Sequence, residues 1–419
     1  MRQILLFLSL FLLLNLPVNA QPILSENAKI SIFTCSPGEE LYSLFGHTAI
    51  RVIDDSLNLD LVFNYGIFSY STSNFAYKFA KGETYYRMGI QRFRNFIDEY
   101  ISDKRPVYEH ILNLNRQEKQ EMFNFLHINN LPENRVYLYS FFLDNCATRP
   151  RDVVEKILGD KLSWHQPDNS YIKPMEKHWK YKEISQLHNN WDGATFRTII
   201  DIYMPKNSWN KYGICFALGM PTDTTADKYH AMFAPDFFMN ALENAVIKRE
   251  TGYEPLIKTK PIYYKPIKLY ENIDPQPYIL PPFQTFLILF VIVLMVSIYE
   301  IKRKKHFIAI DVFLYFITGI MGCIILFMSF FSMHDFVQQN YDILWANPFN
   351  LLFALLLPFK KIRHYTLTYQ YVIFFISLIT ALLWPFLPET LVNANLLIVG
   401  TILVRSIVGI NVLRRNETA

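Results

Sequence analysis

The 419-residue chain lacks the features that mark several common protein classes. Its formal net charge is only +4, and no basic cluster interleaved with aromatic residues occurs before the apolar C-terminal part. Nucleic-acid binding is therefore not expected. The histidines His165, His178 and His188 lack the i, i+4 spacing of metal ligands on one helix face, and no nucleotide-binding motif is present. We therefore expect no metal and no other cofactor.

Cysteine is scarce as well, with four residues in the whole chain. Cys323 lies in an apolar segment, which leaves Cys35, Cys146 and Cys215 outside it. Three is an odd number for an oxidising compartment. Either Cys35 pairs with Cys215 and Cys146 stays free and reactive, or all three are buried small hydrophobic residues. The count leaves both interpretations open.

Residues 1–20 have the pattern of a signal peptide. A basic start is followed by an apolar core at residues 4–14 and by small residues that end at Ala20. An uncleaved anchor is the alternative. No cysteine follows Ala20 directly, so the chain is not itself expected to be a lipoprotein. Residues 21–254 then have the composition of a globular periplasmic domain that is long enough for a substantial core.

The remainder of the chain predicts a tether and a membrane domain. Residues 255–282 contain seven prolines and are typical of an extended tether. Residues 283–412 predict five transmembrane helices, the third of which is poorest in apolar residues, and residues 413–419 form a tail. The five spans are 283–299, 307–331, 344–359, 367–387 and 391–412.

Basic residues set the orientation of these spans. They cluster at residues 302–305, 360–363 and 414–415, whereas the loops 332–343 and 388–395 contain no lysine or arginine. If the N-terminal domain is exported, five spans place every basic cluster in the cytoplasm, as the positive-inside rule requires. Four or six spans would break this pattern. We therefore predict a multi-pass membrane protein with an exported N-terminal domain and a C-terminus in the cytoplasm.

The candidate nucleophile is Cys146. It follows an aromatic segment at residues 136–143 that is typical of a strand, and it precedes a helical pattern at residues 152–158. Because proline fits only the first turn of a helix, Pro150 predicts a helix that starts near residues 147–149. A thiol at a helix N-terminus has a lowered pKa and can supply a nucleophilic thiolate. Its own backbone N–H is also a candidate for half of an oxyanion hole.

The candidate base is His47, which follows Gly46 at the start of a predicted strand. Residues 48–53 and 59–65 predict a hairpin, whose antiparallel geometry brings His47 near Asn64 and Tyr65. A thiol nucleophile needs a base and a third group that orients the base. Asn64 is the first candidate for that role and Tyr65 the second. A lone cysteine and a lone histidine about a hundred residues apart are weak support by themselves.

Five further segments carry expectations. Asn115 and Glu118 predict the capped start of a helix that continues to Asn129. Residues 195–203 and 237–249 are typical of helices, and residues 213–221 of a strand and a turn. The aromatic residues between 68 and 86 are interpreted as core, or alternatively as a groove or membrane-facing surface for acyl chains.

Three motifs, at residues 46–52, 64–68 and 144–152, resemble the periplasmic domain of the Lnb-type lipoprotein N-acyltransferases. Residues 209–218 and 233–237 and the five-span C-terminus are similar to that family too. More distantly, the order of histidine, polar residue and Asn145-Cys146 resembles the circularly permuted papain-like superfamily. That superfamily includes lecithin:retinol acyltransferase-like and cell-wall peptidase-like enzymes. In the lecithin:retinol acyltransferase-like enzymes, a second histidine follows the first closely. In this sequence the next histidine after His47 is His110. Asn64 as the third catalytic residue therefore departs from the pattern of those enzymes.

The resemblance implies an α+β fold, with a permuted papain-like periplasmic domain followed by an all-α five-helix transmembrane domain. It also implies that this protein lies in a bacterial inner membrane. It implies that Cys146 takes an acyl chain from a phospholipid as a thioester, with His47 as the base. The acyl chain then passes to the α-amine of a diacylglyceryl-cysteine on a lipoprotein acceptor. Arg149 is a candidate contact for a lipid phosphate, or else pairs with a nearby aspartate. His334 is a candidate substrate contact, or else belongs to a solvated loop.

Two other functions use the same sequence features. A periplasmic cysteine hydrolase that cuts phospholipid or a cell-wall peptide would use the same Cys146 and His47. A non-enzymatic membrane scaffold would need neither residue for chemistry. A wall peptidase, however, has no evident need for five spans.

Overall fold

The structure is a computed structural model that describes residues 22–68, 74–164, 193–266, 280–359 and 366–418. The predicted signal peptide and the basic residues 360–363 lie outside these ranges. So do the histidines His165, His178 and His188.

A seven-stranded antiparallel sheet forms the frame of the N-terminal domain. Its strand order is β10-β5-β1-β2-β3-β4-β6, and a small second sheet has the order β7-β8-β9. The predicted hairpin is confirmed, because β2 pairs with β3 in antiparallel register with Ala49 opposite Asn64. The strands are β1 Lys29–Cys35, β2 His47–Asp54, β3 Leu59–Ile67, β4 Tyr85–Arg92, β5 Val107–Ile111, β6 Val136–Leu138, β7 Leu162–Ser163, β8 Val246–Arg249, β9 Gly252–Pro255 and β10 Ile262–Tyr264.

Helices cover both faces of the large sheet. Alternate side chains of a strand point to opposite faces, and here both sets are apolar, so each face packs against helices. The helices of this domain are α1 Phe75–Lys81, α2 Phe93–Ser102, α3 Arg116–Asn129, α4 Thr148–Leu158, α5 Phe196–Tyr203, α6 Trp209–Ala217 and α7 Pro235–Asn244. Ile32, Ile50 and Phe63 pack on one face with residues of α3, α4 and α7. Phe33, Ala49 and Val62 pack on the other face with residues of α2. The predicted capping box at Asn115 and Glu118 is confirmed.

Three local predictions differ from the structure. Residues 209–217 form a helix rather than a strand, because the Ser208 side chain accepts a hydrogen bond from the Lys211 N–H and caps it. The helix predicted at residues 237–249 ends at Asn244, and a strand follows. The predicted tether begins later than residue 255, since Ile262–Tyr264 pairs with β5 at the edge of the sheet.

Four of the five predicted spans are long apolar helices. Among the described residues, these four helices are long and apolar enough to cross a membrane. The third predicted span instead contains a helix of eight residues, α10. At about 1.5 Å per residue this helix covers less than half of the apolar core of a bilayer. The helices are α8 Pro282–Arg303, α9 Ile308–Phe331, α10 Phe349–Leu356, α11 Thr366–Leu383 and α12 Asn395–Thr418.

The chain ahead of α10 is irregular and is buried against the middle of α9. A Cβ on Gly319 would lie 2.2 Å from the Leu351 nitrogen, and a Cβ on Gly322 would lie 2.1 Å from the Ala346 carbonyl oxygen. Gly322 thus allows the irregular backbone to approach α9, and Gly319 allows the first turn of α10 to do so. Irregular backbone at membrane depth is tolerated where protein buries it. The alternation of basic clusters still predicts a fifth crossing here, in the form of a broken segment rather than one continuous helix.

A buried charged cluster joins α8, α9 and α12. Arg405 donates hydrogen bonds to Asp311 at 2.5 Å, to Ser297 at 3.0 Å and to the Glu300 carboxylate. The Asp311 carboxylate also lies 2.6 Å from the His306 imidazole. Because Arg405, Glu300 and Asp311 are fully buried, each charge is stabilised by its partners rather than by water.

Candidate active site

Cys146 lies two residues before the first residue of α4, as Pro150 predicted. The turn that carries it is built around Asn145, whose side-chain oxygen accepts hydrogen bonds from the N–H groups of Ala147 at 2.7 Å and Thr148 at 2.9 Å. The Asn145 amide nitrogen donates to the carbonyl oxygens of Phe141 and Phe233. One buried asparagine therefore binds two N–H groups at the start of α4 and fixes the loop that presents the thiol.

His47 begins β2, and its imidazole Nε2 is hydrogen-bonded to the side-chain oxygen of Asn64. Because an amide oxygen only accepts, Nε2 carries the proton and Nδ1 keeps a free lone pair. Asn64 pairs with Ala49, two residues after His47 in β2, so the hairpin register places the His47 and Asn64 side chains on the same face of the sheet. The sequence prediction that Asn64 lies beside His47 is thus correct in geometry. Tyr65, the second candidate, points away and its hydroxyl donates to Asn129.

Gly66 brings the thiol and the imidazole together. A Cβ added at this glycine would lie 3.4 Å from the Cys146 Cβ and 4.0 Å from the His47 Cε1. Its φ of +88° falls where L-residues are strained, at a point where the register between β3 and β4 shifts. A glycine in this irregular part of β3 therefore allows the cysteine loop to approach the histidine strand.

Both reactive groups are neutral at rest. Burial raises the pKa of Cys146 to about 11, although hydrogen bonds from the N–H groups of Thr48 and of Cys146 itself act in the opposite direction. Burial lowers the pKa of His47 to about 4, against the opposing effect of its hydrogen bond to Asn64. The helix start was expected to lower the thiol pKa, and this prediction is wrong because loss of hydration outweighs the helix dipole. The pair is thus a thiol beside a neutral imidazole that can accept its proton.

Arg149 is held by other groups of the protein. It donates to both carboxylate oxygens of Asp144, at 2.6 and 2.7 Å, and its guanidinium carbon lies 3.5 Å from the centre of the Tyr137 ring. Of the two roles that the sequence allowed for Arg149, a phosphate contact or a pair with a nearby aspartate, the structure shows the pair with Asp144. A bidentate pair of this kind orients the guanidinium and fixes the residues on either side of Cys146.

His334 lies between the membrane domain and the N-terminal domain. Its Nε2–H donates to the Phe79 carbonyl oxygen at 2.7 Å, and Asp335 accepts a hydrogen bond from the Ser140 hydroxyl at 3.2 Å. In the same loop, the Phe336 ring lies 4.2 Å from that of Phe142. The loop after α9 is therefore docked on the segment that leads to Cys146, rather than being a solvated loop.

All four cysteines are free, so the disulfide between Cys35 and Cys215 that one interpretation required is absent. Cys35 and Cys215 are buried, whereas Cys146 is half-buried. Cys35 lies directly opposite His47 in the pairing of β1 with β2. Within the described residues, no group of three metal-ligating side chains occurs.

Sequence reasoning did not assign three residues that build this site, namely Asn145, Gly66 and the backbone of Thr48. Asn145 had a readable signal, since asparagine before a helix start is a preferred cap. Gly66 had a weaker one, because a glycine inside a strand pattern indicates a bulge or a close approach of another element. The Thr48 N–H carries no signal in the sequence.

Two family models match the chain. The model described as the Lnb N-terminal periplasmic domain matches residues 21–178, and the model described as the Lnb transmembrane domain matches residues 274–416. The chain belongs to the Lnb-type family. It is accordingly a membrane protein with a periplasmic N-terminal domain and a helical C-terminal domain.

Searches of curated proteins and of solved structures find no match to the chain. The distant resemblance to the permuted papain-like superfamily therefore stays a prediction. Membership of the Lnb-type family indicates a membrane enzyme that modifies lipoproteins.

Proposed function

We propose that this protein is a lipoprotein N-acyltransferase that uses Cys146 as its nucleophile and a phospholipid as its acyl donor. The observation that carries the proposal is the pairing of a half-buried, free thiol with a neutral imidazole across Gly66. The membrane helices supply the reason for a lipid donor, since both substrates are confined to the bilayer. The N-terminal domain is periplasmic, the basic clusters face the cytoplasm, and the C-terminus lies there too.

In the first step, the Cys146 thiol passes its proton to Nδ1 of His47 as the sulfur attacks the carbonyl carbon of a phospholipid ester. The N–H groups of Thr48 and Cys146, which donate toward the sulfur, are our candidates for stabilising the oxyanion. The C–O bond of the ester then breaks, and His47 returns the proton to the departing alkoxide. The products are a lysophospholipid and an acyl thioester on Cys146.

In the second step, the α-amine of a diacylglyceryl-cysteine at the N-terminus of a lipoprotein attacks the thioester. His47 removes a proton from the nitrogen, the C–S bond breaks, and the sulfur is protonated again. The product is an N-acylated lipoprotein, and the enzyme returns to its neutral resting pair. Asn64 acts on the base in both steps, because its oxygen fixes the imidazole with Nδ1 unprotonated.

Lipoproteins from a host that lacks any other N-acyltransferase provide the test. Mass spectrometry of their N-terminal peptides is expected to show the N-acyl chain with the wild-type protein and to show none with Cys146→Ser or His47→Ala. The matched control is Cys215→Ala, which is expected to keep activity. It removes another free thiol, whose sulfur donates a hydrogen bond to Asp201 at 3.4 Å.

N-acylation that persists in a membrane-inserted Cys146→Ser variant would exclude the cysteine mechanism. Release of free fatty acid without any N-acylated peptide would instead indicate a hydrolase on the same residues.

A further inference from the structure

The short helix α1 lies beside a membrane helix and exposes aromatic side chains. Tyr77 is 55% exposed and Phe79 is 51% exposed. The Tyr77 ring centre lies 6.1 Å from that of Phe327 in α9. Exposed aromatic residues next to a membrane-spanning helix are typical of the boundary between lipid headgroups and acyl chains.

The position of Phe327 gives the depth of this contact. It lies four residues before Phe331, the last residue of α9, and therefore about 6 Å below the end of that helix at 1.5 Å per residue. The end of α9 is on the periplasmic side, since the loop that follows it is docked on the catalytic domain. Phe330 and Phe331 at this end are themselves exposed.

Three contacts hold α1 at this height. The Met333 N–H donates to the Lys81 carbonyl oxygen at 2.8 Å, and the His334 imidazole donates to the Phe79 carbonyl oxygen at 2.7 Å. Gly82, which ends α1 with a φ of +75°, lies so close that a Cβ there would be 2.9 Å from the His334 nitrogen. The helix is therefore attached to the periplasmic end of a membrane helix by backbone groups on both sides.

We propose that α1 is inserted in the outer leaflet of the membrane and contacts phospholipid directly through Tyr77 and Phe79. The lipid surface is the occupant that fits the contact to Phe327, because Ile324 and Phe331 on the neighbouring face of α9 are exposed and α9 is long and apolar enough to cross a membrane. The chain leads from the site to α1, since β3 carries Asn64 and Gly66 and the next described helix is α1. On the proposed function, this helix brings the donor lipid to the edge of the active site.

The test places a photo-reactive benzoyl-phenylalanine at position 77 or 79 of the full-length protein in vesicles of radiolabelled phosphatidylethanolamine and phosphatidylglycerol. The matched control is position 253, where Tyr253 is 54% exposed on β9, an edge strand of the small sheet. Irradiation is expected to give about tenfold more labelled lipid on positions 77 and 79 than on position 253. Equal labelling at positions 77 and 253 would overturn the proposal.

A second measurement separates this proposal from the catalytic one. The variant Tyr77→Asp/Phe79→Asp is expected to lower N-acyl transfer from vesicle phospholipid about tenfold, while water-soluble iodoacetamide alkylates Cys146 at the wild-type rate. Tyr253→Asp is the control for an added charge. An unchanged transfer rate would mean that α1 does not deliver the donor. Lipid labelling does not depend on catalysis. It therefore tests the insertion of α1 in the membrane independently of the proposed acyltransferase activity.

Discussion

Two buried polar centres, one in each domain, differ in charge and in access. The centre in the periplasmic domain joins a half-buried thiol to an imidazole and an amide, and its groups are neutral at rest. The centre in the membrane domain joins Arg405 to two carboxylates, and all three side chains are fully buried. In the periplasmic centre, a nitrogen lone pair of His47 and the sulfur of Cys146 remain available for chemistry. In the membrane centre, the charged groups are paired with one another.

The difference indicates how each centre serves the protein. Ionisable residues within membrane segments are a default hypothesis for a functional site. Here, however, the charged cluster ties α8, α9 and α12 together, which is a structural role. The neutral centre is the one in which the proposed base is bonded to its proposed orienting group and both the thiol and the imidazole lie next to Gly66. We therefore assign the chemistry to the periplasmic domain and the anchoring to the membrane domain.

Removing the cation from the membrane centre is expected to have the largest effect. Arg405→Met leaves the Glu300 and Asp311 carboxylates buried without their partner, which is expected to cost about 3–5 kcal/mol of stability. The measurement is the temperature at which the detergent-solubilised protein aggregates, together with its amount in the membrane.

The control is the triple variant Arg405→Met/Glu300→Gln/Asp311→Asn, which removes all three charges. It is expected to recover much of the lost stability, because no buried charge is then unpaired. If Arg405→Met alone were as stable as the wild type, the cluster would not be the anchor described above.

Breaking the contact in the periplasmic centre is expected to have the next largest effect. Gly66→Ala places a methyl group 3.4 Å from the Cys146 Cβ and 4.0 Å from the His47 Cε1, at a φ of +88° that strains an L-residue. Relief of this strain moves the backbone of β3 where it lies against both the thiol and the imidazole. We expect acyl transfer to fall about 100-fold, the effect of a misplaced reacting group, while the protein still accumulates.

Gly252→Ala is the matched control for this variant. Its φ of +126° is also unfavourable for an L-residue, but a Cβ there meets nothing within 4 Å. This variant is expected to share the backbone strain and to keep its activity. Equal losses in both variants would attribute the effect of Gly66→Ala to strain alone.

Changing the charge of the orienting group is expected to have the smallest effect and the most specific one. In Asn64→Asp, a carboxylate beside the imidazole favours its protonated form, so the pKa of His47 rises from about 4. Because the base must be neutral to accept a proton, the acidic limb of the rate profile moves to higher pH. We expect about tenfold lower activity near pH 5.5 and a smaller loss at pH 8.

The measurement is the acyl-transfer rate between pH 4 and pH 8. Asn58→Asp, at the far turn of the same hairpin, provides the control and is expected to leave the profile unchanged. A profile of Asn64→Asp with an unshifted acidic limb would remove Asn64 from the proposed mechanism.

Much of the site could be predicted from local rules. Pro150 placed the start of α4, and the hairpin of β2 and β3 placed His47 beside Asn64. Both follow from short-range geometry, in which a few residues determine the backbone. The four long apolar helices follow from composition in the same way.

Other features depend on contacts between distant segments and could not be predicted in this way. The broken third span approaches α9 closely because Gly322 faces its irregular backbone and Gly319 faces the start of α10. The pKa of the Cys146 thiol is set by its burial, which no local pattern reveals. The pairing of β10 with β5 likewise depends on residues more than a hundred positions apart.

The most direct test of the account is the covalent intermediate itself. Purified wild-type protein is incubated with phospholipid in the absence of a lipoprotein acceptor and then digested for peptide mass spectrometry. We expect a hydroxylamine-sensitive acyl group on the peptide that contains Cys146, and its absence in His47→Ala. An acyl group on Cys35, Cys215 or Cys323 instead, or no acyl group on any cysteine of an active preparation, would contradict the account.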